Sequence, residues 1–274
     1  MSEAKTNPEV LIGEGAALLT LDGGVAHLQL NRPESANGLD IPTLEALYAA
    51  LMVCHGERRV RVVLLTGKGA NFCAGGDVHT FASKGSDLRE YIRQATLHLQ
   101  VAITAMVHLD APVIAAVQGF AAGGGGMGLV CASDIVIAGQ SSKYLAGATR
   151  VAMAPDAGLS VTLPRLVGAR KAAEMLLMNP TMGADEALSL GLINKIVADD
   201  QLQEEAMKYA RKMAEGAPMA LAATKRLLWT GIGLGIDAAM PEEARTVANL
   251  CRTSDVTEGL AAVIERRAPL FKGE

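Results

Sequence analysis

The chain has 274 residues, half of them hydrophobic but only 3% aromatic, and a formal net charge of −4. That length suits one large domain, or a main domain with a smaller appendage, and its core must be built from Ala, Val, Leu, Ile and Met. No basic stripe stands out, which excludes nucleic acid as the expected partner, and the polar stretch Met1–Val10 has no apolar core of a secretory leader.

The elements follow in chain order. Residues 1–16 read as a flexible N-terminal segment. Ala17–Leu21 and Val25–Leu30 flank Asp22-Gly23-Gly24, the pattern of a β-hairpin closed by a glycine turn. Asn31-Arg32-Pro33-Glu34 breaks it. Leu44, Leu47 and Leu51 recur at helical spacing in Asp40–Cys54. Val60–Leu65, aliphatic apart from Arg61, is expected as a buried strand, and Gly67–Gly76 as a loop. A long helix is expected over Asp87–Met106, and further buried strands at Val113–Val117 and Ile135–Ala138. Between them, Gly123–Gly126 opens a helix towards Ser133.

This alternation implies βαβ crossovers and a largely parallel α/β core. After Lys171 the pattern is helical throughout: Lys171–Met178, Ala184–Leu190, Asp200–Ala214, Ala217–Thr230, Ile236–Leu250 and Ser254–Arg266. The chain therefore divides into the segment 1–16, a core domain over 17–168 and a helical C-terminal region over 169–274.

Ala111–Ser133 carries no charge, yet Pro112, Gln118 and six glycines between Gly119 and Gly128 make it a poor membrane span. No membrane partner is expected. Cys54, Cys73, Cys131 and Cys251 match neither zinc spacing nor a CxxC motif. They read as reduced thiols packed as small hydrophobes, which fits a cytoplasmic location with no metal.

Chemistry concentrates at two glycine turns. Phe72-Cys73-Ala74-Gly75-Gly76-Asp77 follows one buried strand, and Gly123–Gly126 follows another and leads into a helix. Glycines let backbone N–H groups face outward without a side chain in the way. A helix N-terminus adds free N–H groups and positive partial charge. Two such turns from neighbouring strands can aim two N–H groups at one oxygen, as an oxyanion hole does. A single turn of this kind would read as a tight bend only.

With these turns, the sequence resembles the crotonase, or enoyl-CoA hydratase/isomerase, superfamily from about Ala17 to Lys272. Asn31-Arg32-Pro33-Glu34, Pro112–Gly119, Ala132-Ser133-Asp134-Ile135, Leu163–Gly168 and Ala184-Asp185-Glu186-Ala187 with Gly191-Leu192 carry the resemblance in the right order. It implies a spiral of ββα units with a helical trimerisation region, and homotrimers or homohexamers. It also implies acyl-CoA thioester substrates, with no permanently bound cofactor and coenzyme A as part of the substrate. It places the oxyanion N–H groups on Gly76 and Gly124, with Gly125 as the alternative because Gly119–Asp134 is one residue longer than the usual pattern. It brings Ala74, Gly75 and Asp77, and Phe271 and Lys272 from the C-terminus, to coenzyme A. The last two often reach it from a neighbouring subunit.

The two glutamates of the family's hydratases are missing. Their places hold Met127 or Gly128, and Ala148. A hydratase must activate water and protonate carbon, so their loss argues against efficient hydration. Asp156, in Ala154-Pro155-Asp156-Ala157-Gly158, stands where the resemblance puts the single acid/base of isomerase members. It could equally cap a helix starting near Ala157. The expected activity is thus enoyl-CoA isomerisation through Asp156. A hydratase with a rearranged acid/base and an inactive acyl-CoA-binding homologue are the alternatives. A hydrolytic dehalogenase also places an aspartate here, but needs groups that Ala148 and Gln100 do not supply. His27, His55, His79 and His108 read as structural, and Trp229 as helix packing.

Overall fold

The computed structural model describes residues 7–274. Its strands are β1 (Glu9–Ile12), β2 (Ala17–Asp22), β3 (Val25–Leu30), β4 (Val62–Gly67), β5 (Val113–Val117), β6 (Phe120–Ala122), β7 (Ile135–Gly139), β8 (Lys143–Leu145), β9 (Met182–Gly183) and β10 (Lys195–Val197). The helices are α1 (Ile41–Gly56), α2 (Val78–Ser83), α3 (Leu88–Val107), α4 (Gly123–Ala132), α5 (Leu159–Val167), α6 (Ala169–Met178), α7 (Ala184–Ser189), α8 (Leu202–Ala214), α9 (Pro218–Gly231), α10 (Ile236–Leu250) and α11 (Ser254–Glu265).

The large sheet runs β1-β2-β3-β4-β5-β7-β10. The first two pairings are antiparallel and the rest parallel, as the β-branched runs imply. A small sheet, β6-β8-β9, lies beside it. Two units, β5-β6-α4 and β7-β8-α5, each give their first strand to the large sheet and their second to the small one. Isolated parallel bridges Leu39–Gly76 and Cys73–Ala121 extend the small layer back towards the earlier units. This is the expected ββα spiral.

β4 and β5 are buried at every residue, because both faces of the sheet are covered. One face packs Leu47, Leu65, Met106 and Val117 in the main core. The other packs Val62, Leu64, Ile114 and Ile137 against the Leu202, Ala206, Ala210 and Ala214 stripe of α8. The spacing of that stripe fits one helix face.

Three expectations need correction. Residues 1–6 lie outside the described residues, but Glu9–Ile12, assigned to the flexible segment, pairs with β2 as the sheet edge. Its side chains are exposed or half-buried, so it lacks the apolar pattern of an inner strand. The C-terminal region is not wholly helical, because β10 joins the large sheet beside β7 and β9 joins the small one. α5 was foreseen only as a helix starting near Ala157 for Asp156 to cap; it starts at Leu159 behind Gly158, with Pro164 inside it.

α9 is fastened to the core by ions rather than by packing alone. Lys225 is 4% exposed and reaches Asp134 at 2.9 Å. It also donates to the carbonyls of Met106 and Ala111. Asp134 further accepts from Val113 N–H and from Trp229 Nε1–H, a role that helix packing alone did not foresee. Burial pushes the Lys225 ammonium below the usual lysine range, against the pull of Asp134. Among the described residues, no helix is long and apolar enough to cross a membrane.

Candidate active site

The two glycine turns meet backbone to backbone. Cys73 N–H donates to Phe120 O at 3.1 Å, and Ala122 N–H to Cys73 O at 2.9 Å. Gly75 has φ +93° and Gly123 φ +63°, both in the left-handed region. A Cβ on Gly75 would lie 2.6 Å from Ala122 O and 2.9 Å from Gly123 Cα, so only glycine allows this approach.

Leu39 straps the first turn from outside. Its N–H donates to Gly75 O at 2.7 Å, and its carbonyl accepts from Asp77 N–H at 3.1 Å. In a parallel bridge these flanking groups satisfy Leu39, and the N–H of the paired Gly76 is directed to the other side. Ala122 is the extended N-cap of α4 and supplies no side-chain cap, so the first-turn N–H groups of Gly124 and Gly125 remain available. Gly76, Gly124 and Gly125 all line one cavity of about 470 Å³, with Ala74 at its wall. Its remaining walls are largely apolar, including Leu44, Phe81, Ile92, Leu99 and Met153.

Asp156 lines the same cavity, and no other carboxylate does among the described residues. Its position follows from α4. Gly124 and Gly128 are one turn apart, on the same helix face. A Cβ on Gly128 would lie 2.3 Å from the Ala157 methyl, and one on Gly124 would lie 1.4 Å from Asp156 Oδ1. Two missing side chains therefore let the Asp156-Ala157 segment settle onto the helix, with the carboxylate over Gly124. Ala157 pays for this with φ +51°, a left-handed conformation that is strained for alanine.

The capping alternative is not what the structure holds. Gly158 is the N-cap of α5, with no side-chain cap, and Asp156 contributes its backbone carbonyl to Leu159 N–H. Burial raises the Asp156 carboxyl above its ordinary value, opposed only by its own backbone N–H. The places of the absent glutamates are inert: Met127 is fully buried in the core, Gly128 lies under Ala157, and Ala148 offers a methyl to the cavity.

Asp77 was expected at coenzyme A, but both its carboxylate oxygens are engaged within the chain and it does not line the cavity. It caps α2 by accepting from Thr80 N–H at 3.0 Å and pairs with Arg32 at 3.2 Å. Burial pushes its carboxyl up, but the Thr80 N–H and the Arg32 guanidinium outweigh this and hold it below the usual range. Arg32 also reaches Asp40 at 3.0 Å and the Gly38 carbonyl at 2.8 Å, which ties the chain before α1 to the first turn.

Phe271 and Lys272 are not brought to the cavity within one chain. Asp255 accepts from Lys272 N–H and Gly273 N–H, and the Phe271 carbonyl accepts from Arg61. Arg61 precedes β4, whereas the glycine turns follow β4 and β5, so the tail sits at the opposite end of the parallel strands.

Several site residues were not foreseen. Phe81 covers Gly76: a Cβ there would lie 2.5 Å from Phe81 Cζ. Tyr91 backs Phe81 edge-on, with ring centroids 6.0 Å apart. Ala157 and Gly128 seat Asp156, and the four-residue spacing of Gly124 and Gly128 was a readable signal of a bare helix face. Groups of three or more His, Cys, Asp or Glu arranged to hold a metal are absent among the described residues.

Comparison with known proteins matches residues 20–274 to the family model "Enoyl-CoA hydratase/isomerase". A Rhodobacter capsulatus protein named "Probable enoyl-CoA hydratase" is 36% identical, over 96% of each chain. The trans-2-decenoyl-(acyl-carrier-protein) isomerase of Streptococcus mutans is 28% identical, over 94% of this chain and 98% of its own. The crystal structure of an enoyl-CoA hydratase from Polaromonas sp. JS666 superposes with a TM-score of 0.90 at 30% identity, covering 94% of this chain and 100% of the other.

Proposed function

This chain belongs to the enoyl-CoA hydratase/isomerase family, and we propose that within it the chain is an enoyl-CoA isomerase working through Asp156. The observation that carries this reading is one carboxylate, raised by burial, lying over Gly124 in an otherwise largely apolar cavity. The thioester oxygen sits between the N–H groups of Gly76 and Gly124. Asp156 takes a proton from C2 of a 3-enoyl thioester. The C2–H electron pair forms a C1–C2 double bond as the carbonyl π pair moves onto the thioester oxygen, where the two N–H groups stabilise the dienolate conjugated with the C3–C4 double bond. Asp156 then returns the same proton to C4, leaving the double bond between C2 and C3. No water enters the balance, and a carboxyl of raised pKa is the better base for a carbon acid.

The isomerase named among the relatives supports this reading. The hydratase named at 36% identity favours a second one, addition of water to a 2-enoyl-CoA with Asp156 as the only acid/base. The test is wild type and Asp156→Ala assayed on 3-enoyl-CoA and 2-enoyl-CoA. The variant loses isomerisation on the first reading. Unchanged isomerisation in it rejects the mechanism, and hydration faster than isomerisation in wild type selects the second reading.

The same reading includes a cytoplasmic homotrimer or homohexamer, in which Phe271 and Lys272 reach coenzyme A held by a neighbouring subunit. Exposed apolar side chains on the C-terminal helices, Ile236 at 74%, Val263 at 78% and Ile264 at 81%, support an assembled state. Light scattering on the eluted protein measures it.

A further inference from the structure

One wall of the cavity is a short turn, Gly147–Val151, and one remote residue holds it. Asn179 follows α6 in the left-handed conformation, with φ +51°, and is 4% exposed. Its Oδ1 accepts from Gly147 N–H at 2.6 Å. Its Nδ2 donates to Thr149 Oγ1. Its own carbonyl accepts from Arg150 Nη2 at 2.6 Å. The buried side-chain amide thus fastens two of the turn's residues and the backbone carbonyl a third, and Thr149 is tied further to the Leu176 carbonyl of α6.

The clamp bears on the oxyanion turns through Gly147. A Cβ on Gly147 would lie 3.7 Å from Gly123 N and 3.8 Å from Gly123 Cα, so the clamped turn rests against the residue that opens α4. Gly147, Ala148, Arg150 and Val151 all line the cavity with Gly124 and Asp156. Asn179 itself does not line it. Buried groups held by several hydrogen bonds have little freedom to drift, and donors aimed at a developing charge lose effect when they do.

We infer that Asn179 is a positioning residue for this site, fixing the Gly147–Val151 wall against the second glycine turn so that the Gly124 N–H keeps its aim at the thioester oxygen. The inference rests on the oxyanion reading above. It is tested with three variants on the intact protein. Asn179→Gly keeps the left-handed backbone and the carbonyl but removes both side-chain bonds. Asn179→Asp keeps the acceptor for Gly147 N–H. Thr149→Val removes only the Nδ2 partner.

The readouts are kcat and KM for isomerisation, and the red shift in absorbance of 2,4-hexadienoyl-CoA on binding. That shift reports polarisation of the thioester carbonyl and needs no proton transfer. Asn179→Gly is expected to lower kcat about tenfold with KM within about twofold, the pattern of lost alignment rather than lost binding. Its red shift shrinks, Asn179→Asp restores both, and Thr149→Val gives a smaller fall of the same kind. A wild-type red shift and kcat in Asn179→Gly overturn the inference. So does a loss matched by an equal fall in folded protein measured by circular dichroism. A wild type with a red shift but no isomerisation rejects the Asp156 reading and leaves Asn179 judged on the shift. No red shift in wild type removes the oxyanion reading and this inference together.

Discussion

Replacing Gly124 with alanine separates the stability of α4 from its chemistry. Gly124 is not among the glycines with positive φ, so alanine fits its backbone. In a helix, alanine gains about 0.5–1 kcal/mol over glycine. The new methyl would, however, lie 1.4 Å from Asp156 Oδ1, 2.6 Å from its Cγ and 3.2 Å from its Oδ2. Non-bonded carbon contacts below about 3.0 Å do not persist. Relief therefore requires a carboxylate displacement on the order of 1.5 Å, by rotation or by a shift of the strained Ala157 turn. A misplacement of about 1 Å can cost about a hundredfold in rate. Gly124→Ala should thus melt within a few degrees of wild type and lose about a hundredfold or more in kcat for 3-enoyl-CoA. Stability comes from circular dichroism and rate from the appearance of the conjugated thioester. A folded Gly124→Ala enzyme with near wild-type kcat would refute the placement of Asp156 over this turn.

Other consequences follow from the same contacts. Burial raises the Asp156 carboxyl above its ordinary 3.8, so its ionisation destabilises the fold. Stability linked to this group is full below pH 3.8 and is lost as pH rises through the raised value. Asp156→Asn should therefore melt higher than wild type at neutral pH, with the gap closing in acid; an equal gap at all pH values would contradict this. The acid limb of the wild-type kcat/KM profile should also sit above the ordinary aspartate range. Arg32→Met leaves Asp77 buried without its guanidinium and should cost about 2–3 kcal/mol in urea unfolding, less than for a fully buried pair because Arg32 is partly exposed. A loss under about 0.5 kcal/mol would show that the Thr80 N–H alone suffices. Lys225→Met strands Asp134 and frees two buried carbonyls, so about 3 kcal/mol should be lost with an unchanged urea slope. An unchanged midpoint would mean that Trp229 and Val113 hold Asp134 unaided.

Much of the fold was readable because its signals are local. Val113–Val117 was placed to the residue, since a short β-branched run between glycine and proline breaks admits few alternatives. Ile236–Leu250 was placed equally well. β10 was missed because Lys195–Val197 has only three residues, all half-buried, and is a strand only because β7 offers it a free edge. β6, also of three residues, lies between glycines and is held by β8. The intrachain partners of Asp77 were not legible, because an aspartate after two glycines looks free to face a ligand. Nothing local reveals that Arg32, 45 residues earlier, arrives to pair with it.

The chain's order of residues was enough to specify two glycine turns after buried strands, the missing glutamates and the one remaining aspartate. These depend on which side chains are present, and so are visible without coordinates. What tertiary structure alone decided is how they face one another. Asp156 lies over Gly124 because Gly128 has no side chain to keep Ala157 away, and Asn179 braces the Gly147–Val151 turn from the far end of α6. Both depend on contacts between segments distant in the chain, where a difference of one methyl separates a helix cap from a carboxylate aimed into a cavity.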